Sequence, residues 1–129
     1  MKILVIEDHT DQRKLAHHIL TTAGYTVSDA DAAEYAVTAI KNDKPHVILL
    51  DLSLPGMDGL TLARHLKQDP ETRDIVIVAV TSYPERFSKA DALKAGCDAY
   101  LVKPLNTRGL PEEIDGVVNR KQRESQQSK

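Results

Sequence analysis

Val47-Ile48-Leu49-Leu50-Asp51 is a run of four large apolar residues that ends on a carboxylate. Too short for a buried helix and rich in branched side chains, it reads as a strand covered on both faces, with an acid at its carboxyl end. The same grammar recurs on either side. Ile3-Leu4-Val5-Ile6 ends on Glu7-Asp8, Ile75-Val76-Ile77-Val78-Ala79-Val80 ends on Thr81-Ser82, and Ala99-Tyr100-Leu101-Val102 ends on Lys103-Pro104. Tyr25-Thr26-Val27 is a fifth, shorter run whose end offers nothing comparable, as suits a strand at a sheet edge.

Amphipathic stretches separate these runs. Leu15, Ile19 and Leu20 share one stripe, with Thr10 as a cap and Gly24 as a left-handed stop. Asp31 with Glu34 has the spacing of a capping box ahead of Val37 and Ile40. Asp58 can cap a helix bearing Leu62 and Leu66, and Ser82-Tyr83-Pro84-Glu85 reads as the start of a fourth helix that ends near Gly96. In the last helix Pro111, Gly109 and Gly116 argue for a bend or a late start. Strands alternating with helices over short loops imply an α/β fold built on an open, doubly wound parallel sheet with right-handed crossovers.

The 129 residues hold one domain, expected over residues 1–120, followed by a polar, disordered tail over 121–129. Composition, 41% apolar and 28% charged, supplies a core without disulfide or metal, and Cys97 has no second cysteine to pair with. The first apolar run is too short for a signal peptide or a membrane span, so a cytoplasmic protein without membrane attachment is expected. Net charge is −2, with +3 gathered in Asn119 to Lys129 and −5 in the remainder. An acidic body with five aromatic residues and no tryptophan argues against nucleic-acid binding. No glycine-rich phosphate loop follows any strand, which leaves nucleotide binding unsupported.

Ligands of open α/β sheets bind beyond the carboxyl ends of the strands. There Glu7, Asp8 and Asp51 converge with Thr81 and Lys103. Three carboxylates repel in a partly desolvated site, and Lys103 balances only part of that charge. A hard divalent cation completes it. Mg²⁺ fits because it needs few carboxylates and accepts a phosphoryl oxygen, which points to transfer of a phosphoryl group onto a carboxylate. His9, His17, His18, His46 and His65 show no metal-ligand spacing and read as surface or packing residues.

Glu7-Asp8, then Leu49-Leu50-Asp51-Leu52-Ser53-Leu54-Pro55-Gly56-Met57-Asp58-Gly59, then Ala79-Val80-Thr81-Ser82, then Gly96-Cys97-Asp98-Ala99-Tyr100-Leu101-Val102-Lys103-Pro104 resembles the receiver domain of two-component response regulators, in particular the stand-alone type. The resemblance runs from residue 2 to about 120. It implies a flavodoxin-like (βα)5 fold with strand order 2-1-3-4-5. It further implies Asp51 as phosphoacceptor from the phosphohistidine of a sensor kinase or phosphotransfer protein. Mg²⁺ would sit on Asp8, Asp51 and the Ser53 backbone carbonyl, with Glu7 acting through water. Lys103 would pair with the phosphoryl group ahead of a cis Pro104, and Thr81 with Tyr100 would form the switch that remodels the face of the fourth helix, fifth strand and fifth helix. Ser53 and Tyr83 occupy the positions that tune the site. The resemblance also implies a monomer, dimerisation on phosphorylation being left open, whose signal leaves by protein contact.

Each site residue has a plainer use. Tyr100 alone reads as a half-buried core aromatic, Lys103 as a surface lysine, Thr81 as a strand-end hydroxyl; their coincidence with the acids decides against that. A Mg²⁺-dependent phosphohydrolase with an aspartyl nucleophile is the competing function. Such enzymes carry a second aspartate two residues beyond the nucleophile, where this chain has Ser53.

Overall fold

The computed structural model describes residues 1–127. Five strands, β1 (Lys2–Ile6), β2 (Thr26–Ala30), β3 (Val47–Asp51), β4 (Val76–Thr81) and β5 (Ala99–Val102), form one parallel sheet in the order β2-β1-β3-β4-β5. Between and after them run α1 (Thr10–Thr22), α2 (Ala33–Asn42), α3 (Gly59–Gln68), α4 (Lys89–Lys94) and α5 (Leu110–Gln127). This is the flavodoxin-like, doubly wound order. The register pairs Ile6 with Leu50, Asp51 with Val80 and Thr81 with Val102, so the strands end on one rim.

Period-two alternation sorts each strand's apolar residues between two cores. Leu4, Ile6, Ile48, Leu50, Ile77 and Ala79 face α2, α3 and α4. Ile3, Val5, Val47, Leu49, Val78 and Val80 face α1 and α5. Every residue of β3 is buried, which is why its sequence shows no polar alternation. Each fully buried leucine or isoleucine contributes on the order of 2 kcal/mol of transfer free energy, enough to hold a rim of acids against their repulsion.

Several expectations about element ends need correction. The N-cap of α1 is His9, not Thr10, and α2 is capped by Ala32 without the Asp31 side chain; neither helix has a side-chain cap. Asp58 does cap α3, accepting from Thr61 N–H at 2.8 Å. α4 starts at Lys89 under a Ser88 cap, because Tyr83 to Arg86 close a turn instead. Leu15 stands 50% exposed rather than in the apolar stripe. Gly24, at φ +100°, ends α1 as expected, with its N–H on Thr21 O and that of Tyr25 on Leu20 O. α5 starts late, at Leu110, after Asn106 Oδ1 has accepted from the N–H groups of Arg108 and Gly109.

The stretch expected as a tail, 121–129, begins within α5. α5 continues through Gln127, and residues 128–129 lie outside the described part. Arg, Lys, Gln and Glu are good helix formers, and Lys121 is anchored: its ammonium donates to Ile75 O and Asp98 Oδ2, both at 3.2 Å. Asp98 also accepts from Ile77 N–H at 2.9 Å, while Lys67 of α3 donates to Arg73 O and Ile75 O. One carboxylate and two ammoniums thus tie α3, β4, β5 and α5 at the end of the sheet away from the acid rim.

Cys97 is 5% exposed beside this cluster. Burial, and then the Asp98 charge, push its thiol up to about 11. The native state keeps a proton that the unfolded chain loses above its ordinary 9.0, so stability must fall as pH rises through that interval. Denaturant titrations should find a loss of roughly 2 to 3 kcal/mol across it that Cys97→Ala lacks. Equal slopes for the two proteins would refute the assignment.

Candidate functional site

Asp51 is the last residue of the central strand and only 3% exposed. A carboxylate there must be held by hydrogen bonds and charge. Its Oδ1 accepts from Ser53 N–H at 3.0 Å and Ser53 Oγ at 3.1 Å; its Oδ2 faces Lys103 Nζ at 3.3 Å. Lys103 reaches the site from the end of β5, its side chain 13% exposed, and also donates to Glu7 Oε1. The Lys103–Pro104 peptide bond is cis. Glu7, 6% exposed, follows β1, so the carboxylates of two neighbouring strands flank one ammonium.

This arrangement splits the two acids. Burial, then the contact with Asp51, raise Glu7 above its ordinary range despite Lys103. Burial alone would raise Asp51 too, but Glu7, the Ser53 N–H, Lys103 and the Ser53 hydroxyl outweigh it and hold Asp51 low. Asp51 is therefore the more readily ionised carboxylate of the pair, and Glu7 the one that keeps a proton longer.

Asp8, beside Glu7, has a side chain 28% exposed, yet its Oδ1 is buried with no hydrogen-bond partner. One ligand atom each from Glu7, Asp8, His9 and Asp51 lies within 4.8 Å of the others. An orphaned carboxylate oxygen among further carboxylates is the donor set of a hard cation, and these residues fit Mg²⁺. His9 is a member that sequence spacing does not flag: as N-cap of α1 it brings Nδ1 to 3.3 Å from Glu7 and 3.4 Å from Asp8. Arg13, one turn on, donates to Glu7 O at 2.9 Å, fixing the loop that carries both acids. Gln12 accepts from Lys103; nothing in the sequence sets it apart from any polar residue of an amphipathic helix.

Thr81 ends β4 fully buried, and its Oγ1 accepts from Tyr83 N–H at 2.9 Å, leaving its own proton free to donate. Tyr83 is 50% exposed at the rim. Tyr100, partly buried, donates its hydroxyl to Phe87 O, between β5 and the start of α4. The Ser53 side chain is committed to Asp51, so it offers no acid or base of its own. A cavity of about 500 Å³ opens beside Asp51, walled by Glu7, Gln12, Leu15, Lys103 and Leu105 among others. No helix among the described residues is long and apolar enough to cross a membrane.

Residues 3–115 match the family model of the response regulator receiver domain. The phosphate regulon transcriptional regulatory protein PhoB of Pseudomonas aeruginosa is 37% identical over 118 residues, 92% of this chain and 52% of that protein. The chain thus spans about half the length of that curated relative. The chemotaxis protein CheY-3 of Vibrio cholerae is 27% identical, with 93% of each chain covered. Among solved structures, a CheY-like response regulator receiver domain protein from Methanospirillum hungatei superimposes with a TM-score of 0.86 at 30% identity, covering 95% of this chain and 97% of that one.

Proposed function

Because this chain belongs to the response regulator receiver domain family, we propose that Asp51 accepts a phosphoryl group from the phosphohistidine of a sensor kinase or phosphotransfer protein. The observation that carries this reading is a buried carboxylate, held low in pKa, set between a lysine ammonium at 3.3 Å and the carboxylates of Glu7 and Asp8. In the step, an Asp51 oxygen forms a bond to phosphorus while the phosphorus–nitrogen bond to the donor imidazole breaks, its electron pair leaving with that nitrogen. The product is an acyl phosphate, released later when water attacks phosphorus and Asp51 departs as carboxylate. Lys103 supplies a fixed positive charge to the transferring oxygens, worth most where water is excluded.

Asp8, Asp51 and the Ser53 carbonyl would hold Mg²⁺, with Glu7 through water; bound there, the ion screens the acids and the phosphoryl oxygens. Thr81 would donate its free proton to the phosphoryl group, drawing its loop inward, and Tyr100 would follow. Phosphate thereby favours one of two states of the face formed by α4, β5 and α5, and that face passes the signal to a protein partner. Action as a single domain in a two-component phosphorelay belongs to the same reading, supported by the match to CheY-3 over 93% of its length. The hydrolase alternative is disfavoured by Ser53, whose hydroxyl is bound to Asp51 where an acid/base carboxylate would be required.

Incubation with Mg²⁺ and acetyl phosphate, followed by intact-mass measurement, tests this. One added phosphoryl group supports the reading; none overturns it, and continuous phosphate release over many turnovers would favour the hydrolase. Tyr83 gives a finer prediction. Its half-exposed ring follows the rim residues Thr81 and Ser82; as a shield of the acyl phosphate against water it would make Tyr83→Ala lose the phosphoryl group about fivefold faster, equivalent to about 1 kcal/mol of barrier. Equal decay in the two proteins would dismiss the shielding role.

A further inference from the structure

The Lys103 ammonium has three protons and three acceptors: Glu7 Oε1, Asp51 Oδ2 and Gln12 Oε1. The first two are carboxylates buried on the sheet rim, and the third comes from the first turn of α1. Gln12 lies four and eight residues before Ala16 and Leu20, the two buried residues of that helix, so it stands on the same helix face, itself exposed at the rim. An ammonium only donates, so the Gln12 amide must turn its oxygen to Nζ.

Resting on the receiver reading, we propose that Gln12 is a positioning residue for phosphoryl transfer: it fixes the Lys103 ammonium beside Asp51 without neutralising its charge. The argument is one of charge and reach. Were the ammonium held by Glu7 and Asp51 alone, both of its anchors would be carboxylates and its third proton would have no fixed direction. Gln12 lines the same cavity as Glu7, Asp51 and Lys103, and as a neutral third anchor it fixes the ammonium without cancelling more of its charge. A carboxylate at the same place would hold it equally well and cancel that charge. Preorganised placement of a charge lowers a barrier because nothing has to move when the reaction occurs.

Gln12→Met keeps the length and helical fit of the side chain and deletes the acceptor. Phosphorylation by acetyl phosphate at saturating Mg²⁺ should slow about tenfold, through loss of a preorganised charge facing the phosphoryl oxygens. The urea unfolding midpoint and the Mg²⁺ dissociation constant from calorimetry should stay at wild-type values, since neither depends on where the ammonium points. An unchanged or faster rate overturns the assignment. So does a slower rate accompanied by weaker Mg²⁺ binding or a lower unfolding midpoint, which would make Gln12 a structural residue. Failure of the wild-type chain to accept any phosphoryl group would instead strike the receiver reading, and this assignment with it.

Discussion

Asp51→Asn should remain at its unmodified mass under conditions that phosphorylate the wild-type chain to completion, its labelling falling below about 1% of the wild-type level, since an amide lacks the charge that makes a carboxylate a nucleophile. The substitution is close to isosteric. The Ser53 N–H and hydroxyl can still donate to the amide oxygen, so the loss is chemical and not conformational. The neighbouring acids are poor replacements for distinct reasons. Glu7 is raised by burial and by Asp51, and it already accepts a hydrogen bond from Lys103. The Asp8 side chain is more exposed and has no contact with that ammonium to guide an incoming phosphoryl group. Chelating divalent cations from the wild-type protein should suppress the same mass change. Labelling of Asp51→Asn as fast as wild type, mapped by peptide mass, would remove Asp51 from its role.

Gly59→Ala should cost about 3 kcal/mol in urea unfolding, near the upper end of what overpacking produces. A β-carbon at position 59 would lie 2.7 Å from the Asp51 carbonyl oxygen and 2.7 Å from Leu52 Cα. Both are backbone atoms of the segment that carries the Asp51 side chain, and the Gly59 N–H already donates to Leu52 O at 3.1 Å. No flexible side chain can move aside, so α3 or the end of β3 must. Gly116, in the middle of α5, is the internal control, because a β-carbon there would meet nothing within 4 Å. Gly116→Ala should gain about 0.5 to 1 kcal/mol from helix propensity alone. If both variants change stability alike, the close approach at Gly59 carries no energetic weight.

The central architecture is readable because β1, β3 and β4 are buried on both faces, and continuous apolar runs have few other uses. β2 reads short by three residues because it is an edge strand whose Ser28 and Asp29 are exposed and hide its continuation. Helix starts are less legible. Thr10 and Asp31 are good cap residues placed next to helices that begin without a side-chain cap, and local propensity cannot tell a cap used from one passed over. At the rim, a carboxylate, hydroxyl or amine at a strand end can be extracted one strand at a time, because the topology brings all such ends together. His9, Gln12 and Arg13 cannot, since their importance arises from the way the start of α1 leans over the acids, and polar residues in a first turn are ordinary.

The Lys103–Glu7 contact joins residues 96 apart in the chain, and the Lys103–Asp51 contact residues 52 apart. During synthesis the acids of β1 and β3 therefore emerge long before their ammonium. Until β5 arrives, pairing of those strands has to overcome mutual repulsion at their ends, and only the apolar register from Ile3 with Val47 to Ile6 with Leu50 drives it. Contacts so distant in sequence carry a large loop-closure cost and form late. The acid–lysine cluster is thus completed only after the strands that carry its acids have been made, and those acids wait on the last strand for their counter-charge.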